Sequence, residues 1–153
     1  MKRDAHNLTF DELSSELSLP RNSIPVLRVR LIKDRTHVVK STMSQVEDVV
    51  TLLSEYLSDG DREHFVVLML DVKNQVIGLH TAIIGTLDCA LVCPRDVFKA
   101  AILPNAASII VAHNHPSGDP TPSPEDFDVT EKLASAGALL GIRLLDHVVI
   151  GET

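Results

Sequence analysis

Val111-Ala112-His113-Asn114-His115-Pro116 sets two histidines two residues apart at the end of a short apolar stretch, and Asp126 follows eleven residues after His115. If that stretch is a strand, a period of two places both imidazoles on one face. Asp126 falls in the first turn of a helix that Ser123 would cap and Pro124 would open. A strand end and a helix start therefore converge on one point. Two imidazole nitrogens and one carboxylate oxygen form a catalytic Zn²⁺ set, and a water in the fourth position would have its pKa lowered towards roughly 7. Asp126 also has a structural use, because a carboxylate at the third helical position favours the helix dipole and completes a capping box with Ser123. A carboxylate has two oxygens for the two tasks.

The elements that must position these groups read as one α/β domain, a mixed β-sheet flanked by helices, over residues 25–153, with residues 1–24 as an N-terminal appendage. In the appendage, Thr9 and Glu12 form a capping box ahead of Phe10, Leu13 and Leu17, a short helix that Pro20 and Pro25 end. Val26 to Ile32 and a piece around His37–Val39 read as a hairpin across residues 33–36. Val46, Val49, Val50, Leu52, Leu53 and Leu57 make a helical stripe that closes near Asp59-Gly60. A continuous apolar run from Phe65 to Val72, a turn at Lys73-Asn74 and a run from Val76 to Ile84 predict a second hairpin. Pro94 opens a helix to about Leu103, Ala107 to Ala112 predicts a buried strand, and a loop with Pro116, Gly118, Pro120 and Pro122 leads to Ser123. The helix that follows ends at Gly137 or Gly141, and Ile142 to Ile150 predicts the last strand.

With 153 residues, 44% hydrophobic and 23% charged, the chain has the composition of an ordinary globular domain, large enough to form a core without disulfides or a structural metal. A metal is then free to be functional. The longest apolar run, Phe65 to Leu70, is far short of the roughly 20 residues that cross a bilayer, so no membrane association is expected. No apolar segment follows Met1-Lys2-Arg3, and two cysteines make no disulfide framework, so the expected location is the cytoplasm. Cys89 and Cys93 are expected to be buried apolar residues. The net charge is −7; residues 1–41 hold eight Lys and Arg against five Asp and Glu, and the remainder six against sixteen. Any nucleic-acid surface would have to use Arg28, Arg30, Lys33, Arg35 and Lys40.

His113-x-His115-Pro116 followed by Ser123-Pro124-Glu125-Asp126 resembles the zinc motif of the JAB/JAMM (MPN) metalloprotein superfamily. Within it, Ala112 to Pro120, Leu145-Asp146-His147-Val148-Val149-Ile150-Gly151, Gly85-Thr86-Leu87 and Pro94-Arg95-Asp96-Val97-Phe98 resemble the RadC-like proteins, and the likeness runs from about Val26 to Gly151. The resemblance implies a cytidine-deaminase-like fold, Zn²⁺ held by His113, His115 and Asp126, and Ser123 helping to hold a developing oxyanion. It also implies hydrolysis of an amide, peptide or isopeptide bond in a protein or peptide substrate, with a homodimer as a further expectation. The helix-hairpin-helix region that often precedes this domain has no counterpart in residues 1–24.

In the superfamily the general base is a glutamate on an earlier strand, and counting back from Gly85-Thr86 puts that position at His80 or Thr81, neither an acid. Three readings stay open: His80 is the base, His80 is a fourth protein ligand of a closed site, or His80 lies outside the site. Asp71 and Asp88 are the fallback acids. Asp146 and His147, on the last strand, are candidates to orient a ligand imidazole through its far nitrogen. Without the glutamate the chain would be a metal-keeping module for protein interaction. The association of RadC-like proteins with DNA repair supplies a third expectation, action on nucleic acid guided by the basic patch.

Overall fold

The computed structural model describes Arg28 and residues 31–33, 46–57, 62–85 and 92–151. The chain divides into a unit Met1–Arg30 and a unit Leu31–Thr153. The expected appendage helix and the hairpin across residues 33–36 lie outside the described residues, and Arg28, Leu31 and Ile32 are in no regular element.

In chain order the second unit contains α1 (Val46–Leu57), β1 (His64–Leu70), β2 (Val76–Ile84), α2 (Pro94–Ile102), β3 (Ser108–Asn114), α3 (Pro124–Leu140) and β4 (Arg143–Ile150). The sheet order is β2-β1-β3-β4. β1 pairs antiparallel with both β2 and β3, and β3 pairs parallel with β4. A parallel pair needs a crossover, and α3 supplies it.

From Phe65 onward β1 is apolar without interruption because helices cover both its faces. Phe65, Val67 and Met69 point with Ile109 and Val111 towards Val97, Phe98 and Ala101 of α2 and Leu133 of α3. Val66, Leu68 and Leu70 point with Ile110 and Ala112 towards Val49, Leu52, Leu53 and Leu57 of α1. The result is an α/β/α sandwich with a mixed sheet, and the site forms where its central strands end. Antiparallel register pairs Phe65 with His113, so the start of β1 lies beside the end of β3. Among the described residues no helix is long and apolar enough to cross a membrane.

Local chemistry sets the boundaries. At the β1–β2 turn Asp71 Oδ1 accepts from the N–H groups of Lys73 and Gln75, and Asn74 takes φ 58°. Asp71 is thereby a turn residue rather than a fallback acid. Gly141, at φ 71°, ends α3 as its C-cap, while Gly137 stays inside the helix, buried. β3 runs two residues beyond its predicted end and takes in His113 and Asn114, because ladder pairing continues from Phe65 on one side and Val149 and Ile150 on the other. Cys93 is exposed at the N-cap of α2, not buried as expected, because Pro94 begins the helix there and the thiol makes no cap bond. Cys89 and Asp88 lie outside the described residues.

Candidate metal centre

His113 is fully buried on β3, its ring stacked on Phe65 with centroids 6.0 Å apart and planes within 10°. His115 lies one residue past the strand. Its N–H donates to Ile150 O, which carries the chain out alongside β4, and its Nδ1 is 2.7 Å from Asp119 O. The proline-rich loop can turn back this tightly only because residue 151 is glycine: a Cβ there would lie 2.3 Å from Gly118 O and 2.9 Å from Pro120 N. Asp126 arrives from the other side on the first turn of α3. Ser123 N–H and Ser123 Oγ–H both donate to Asp126 Oδ2 at 2.7 Å, and Asp126 N–H donates to Ser123 Oγ at 3.2 Å, a complete capping box. The structural task has taken Oδ2. Oδ1 faces His113.

The three side chains meet. His113 Nε2 and His115 Nε2 are 2.9 Å apart, Asp126 Oδ1 is 3.1 Å from His113 Nε2, and Asp126 Oδ2 is 3.6 Å from His115 Nε2. All three can offer a ligand atom to one ion. Bonds of 2.0–2.1 Å to a tetrahedral Zn²⁺ would give donor separations of about 3.4 Å; the 2.9 and 3.1 Å edges at His113 Nε2 are a few tenths of an ångström shorter.

Proton placement decides whether these contacts are hydrogen bonds. A carbonyl can only accept, so His115 must carry its proton on Nδ1, facing Asp119 O. On the far side of His113, its Nδ1 is 2.9 Å from His147 Nε2, and His147 Nδ1 is 2.6 Å from Thr130 Oγ1. Thr130 Oγ1–H donates to Asp126 O at 2.6 Å and has no second proton to give. His147 Nδ1 is then the donor to Thr130, its Nε2 is an acceptor, and His113 carries its proton on Nδ1. Both Nε2 atoms face one another as bare lone pairs, with a carboxylate beside them. A proton would relieve the conflict only by charging an imidazole, yet burial, partly countered by Asp126 and reinforced by His147 and His115, pulls His113 down to about 4. At neutral pH a cation is what this donor set fits.

Asp126 remains a carboxylate: burial pushes it up, but the bonds from Ser123 and the nearby His113 and His115 outweigh burial and hold it below the usual range. Burial lowers His147 too. Asp146, the other residue expected to orient a ligand, instead accepts the His147 N–H on Oδ1 and touches no ligand ring.

Of the three readings open for His80, the structure favours a place outside the cluster. His80, on β2, pairs with Val67 of β1 and so stands two strand spacings, or roughly 10 Å, from β3. Burial and then Lys99 on α2 lower its imidazole. The acid beside the site is Glu63, half-buried immediately before β1. Burial first, then the charge of Asp126, raise its carboxyl, while His115 pulls the other way. Glu63 stands at the start of β1, the strand between β2, which carries His80, and β3. Ser123, expected at an oxyanion, holds Asp126 in this structure.

Asn114, between the two histidines, was also missed. Its side chain is almost fully buried; Oδ1 accepts from His64 N–H at 2.8 Å and Nδ2 donates to Arg62 O at 3.1 Å. One carboxamide thus clamps the backbone on both sides of Glu63. The unbroken apolar run after Glu63 marks β1 as a central strand, but only its register with β3 brings Glu63 to the site.

The RadC-like JAB domain model matches residues 43–153. Among curated proteins, a UPF0758 protein of Shouchella clausii is 50% identical over 123 residues, 80% of this chain and 54% of that protein. One from Caldanaerobacter subterraneus is 54% identical over 111 residues, 72% of this chain and 48% of that protein. One from Methanosarcina mazei is 48% identical over 113 residues, 74% of this chain and 49% of that protein. The chain spans about half the length of these relatives. With its sheet, its His-His-Asp cluster and this match, the chain belongs to the RadC-like JAB domain family.

Proposed function

We propose that this domain is a zinc-dependent hydrolase of an amide, peptide or isopeptide bond, with His113, His115 and Asp126 as metal ligands and Glu63 as the proton carrier. The observation that carries the reading is the 2.9 Å separation of His113 Nε2 and His115 Nε2; with both Nδ1 atoms placed as donors, the two face each other as lone pairs whose repulsion a divalent cation turns into binding. A Zn²⁺ ion held there supplies Lewis acidity, polarising the scissile carbonyl and making a water easier to deprotonate.

The protein's own groups do the rest. Glu63 takes a proton from the attacking water onto its carboxylate and gives it to the leaving nitrogen, a transfer usually worth about 10² to 10⁴ in rate. Its raised pKa suits both halves, since a stronger base takes the proton more readily and burial limits loss to solvent. Asn114 fixes the backbone from which Glu63 reaches. Ser123 orients Asp126; rotating its hydroxyl lets it donate a hydrogen bond to a developing oxyanion, while Ser123 N–H keeps Oδ2 satisfied. The interaction-module alternative rested on a missing glutamate; the nearness of Glu63 to Asp126 and His115 supports the hydrolase reading over it. Action on nucleic acid rested on five basic residues, of which only Arg28 and Lys33 lie among the described residues.

Elemental analysis of untagged protein, wild type beside His113→Ala, tests the reading. One equivalent of zinc in the wild type, lost in the variant, is expected. Wild type with under about a tenth of an equivalent, no different from the variant, refutes a site of this donor set.

A further inference from the structure

The hydrogen bonds behind His113 run from one ligand residue to another. His113 Nδ1 donates to His147 Nε2, His147 Nδ1 to Thr130 Oγ1, and Thr130 Oγ1–H to the carbonyl of Asp126, whose Oδ1 lies 3.1 Å from His113 Nε2. One ligand is tied to another through two residues that do not face the ion. Phe65 packs edge-on against His147, at 5.4 Å, and stacks on His113, so neither ring is free to turn.

We infer that Thr130 and His147 are positioning residues that set the tautomer of His113, and through it the affinity of the site for its metal. The inference rests on the metal-site reading above but makes a separate claim about where protons sit before any ion arrives. Three elements contribute one link each: α3 gives the hydroxyl, β4 the relay imidazole, β3 the ligand. The hydroxyl proton is committed to a carbonyl one helical turn back. Every later link then has one solution, ending with His113 protonated on Nδ1 and bare on Nε2. Without the hydroxyl, His147 can carry its proton on Nε2 instead. His113 Nδ1 would then accept, its proton would move to Nε2, and the ligand atom would be blocked. Partners of this kind usually alter metal affinity by about 10- to 100-fold.

The test uses the full chain, Thr130→Val as a shape-conserving loss of the hydroxyl, and Thr130→Ser as its restoration. Imidazole ¹⁵N shifts of metal-free protein report which nitrogen of each histidine is protonated, and competition against a chelator gives the Zn²⁺ dissociation constant. The wild type should show His113 and His147 both protonated on Nδ1. Thr130→Val should lose that pattern and bind Zn²⁺ at least about tenfold more weakly, with Thr130→Ser near wild type. His113 protonated on Nε2 in the wild type, or a Thr130→Val affinity within twofold of it, overturns the inference. Expected shifts in a wild type that binds no Zn²⁺ would uphold the relay and sink the hydrolase reading instead.

Discussion

Acid should destabilise the metal-free protein through His113 specifically, by an amount that follows from its burial. An unfolded histidine titrates near 6.5, whereas His113 in the fold is pulled down to about 4, chiefly by desolvation. Its folded-state pKa is depressed, so the unfolded chain binds the proton first as pH falls. The stability tied to the neutral ring is complete above about 6.5 and drains away as pH approaches 4. With those two values the loss is about 1 kcal/mol at pH 5.5 and between about 2 and 3 kcal/mol at pH 4.5. His147, also lowered by burial, adds in the same direction. Glu63, raised by burial and by Asp126, opposes both, because the folded state takes up its proton more readily than the unfolded chain. Urea unfolding of chelator-treated protein at pH 7 and pH 4.5, with His113→Asn as reference, isolates the His113 share. The wild type should lose between about 2 and 3 kcal/mol more than the variant over that interval. Equal losses would mean that His113 is readily charged inside the fold, and the argument from two bare nitrogens would fail with it.

Glu63→Gln should keep the metal and lose about 10² to 10⁴ in hydrolytic rate; loss of zinc stoichiometry would instead make Glu63 a ligand. Asn114→Leu leaves His64 N–H without its acceptor and removes one bond from Arg62 O, for an expected cost of about 1–3 kcal/mol by urea unfolding. An unchanged midpoint would show that the clamp holds nothing. Gly151→Ala puts a methyl group 2.3 Å from Gly118 O, so the loop that fixes His115 must move. A loss of about 1–3 kcal/mol is expected, together with weaker Zn²⁺ binding by titration calorimetry.

What could be read from the chain was whatever lies close together in it. The elements follow from apolar period: β1 and β3 are solid runs, α1 a stripe, and α3 opens with Ser123-Pro124. The ligand set was legible because His113, His115 and Asp126 are confined to fourteen residues bounded by a cap. Glu63 was not, because its place beside Asp126 depends on the pairing of Phe65 with His113 across 48 residues, a register that no local pattern encodes. The length of β3 was under-read for the same reason, its last pairs being supplied by β1 and β4.

The same division separates ligand identity from ligand readiness. A histidine becomes a ligand only when its other nitrogen keeps the proton, and each imidazole here has that settled by a different part of the chain. For His115 the partner is a carbonyl four residues on, within the loop whose turn Gly151 permits. For His113 it is a histidine 34 residues away, itself oriented by a threonine on α3. Asp126 has one oxygen occupied by the cap that starts its own helix, which leaves the other aimed at His113. The motif therefore names the atoms that could bind a cation, and the fold removes the protons that would prevent it. Substituting Thr130, which touches no ligand side chain, should accordingly weaken the site, although every residue of the motif remains in place.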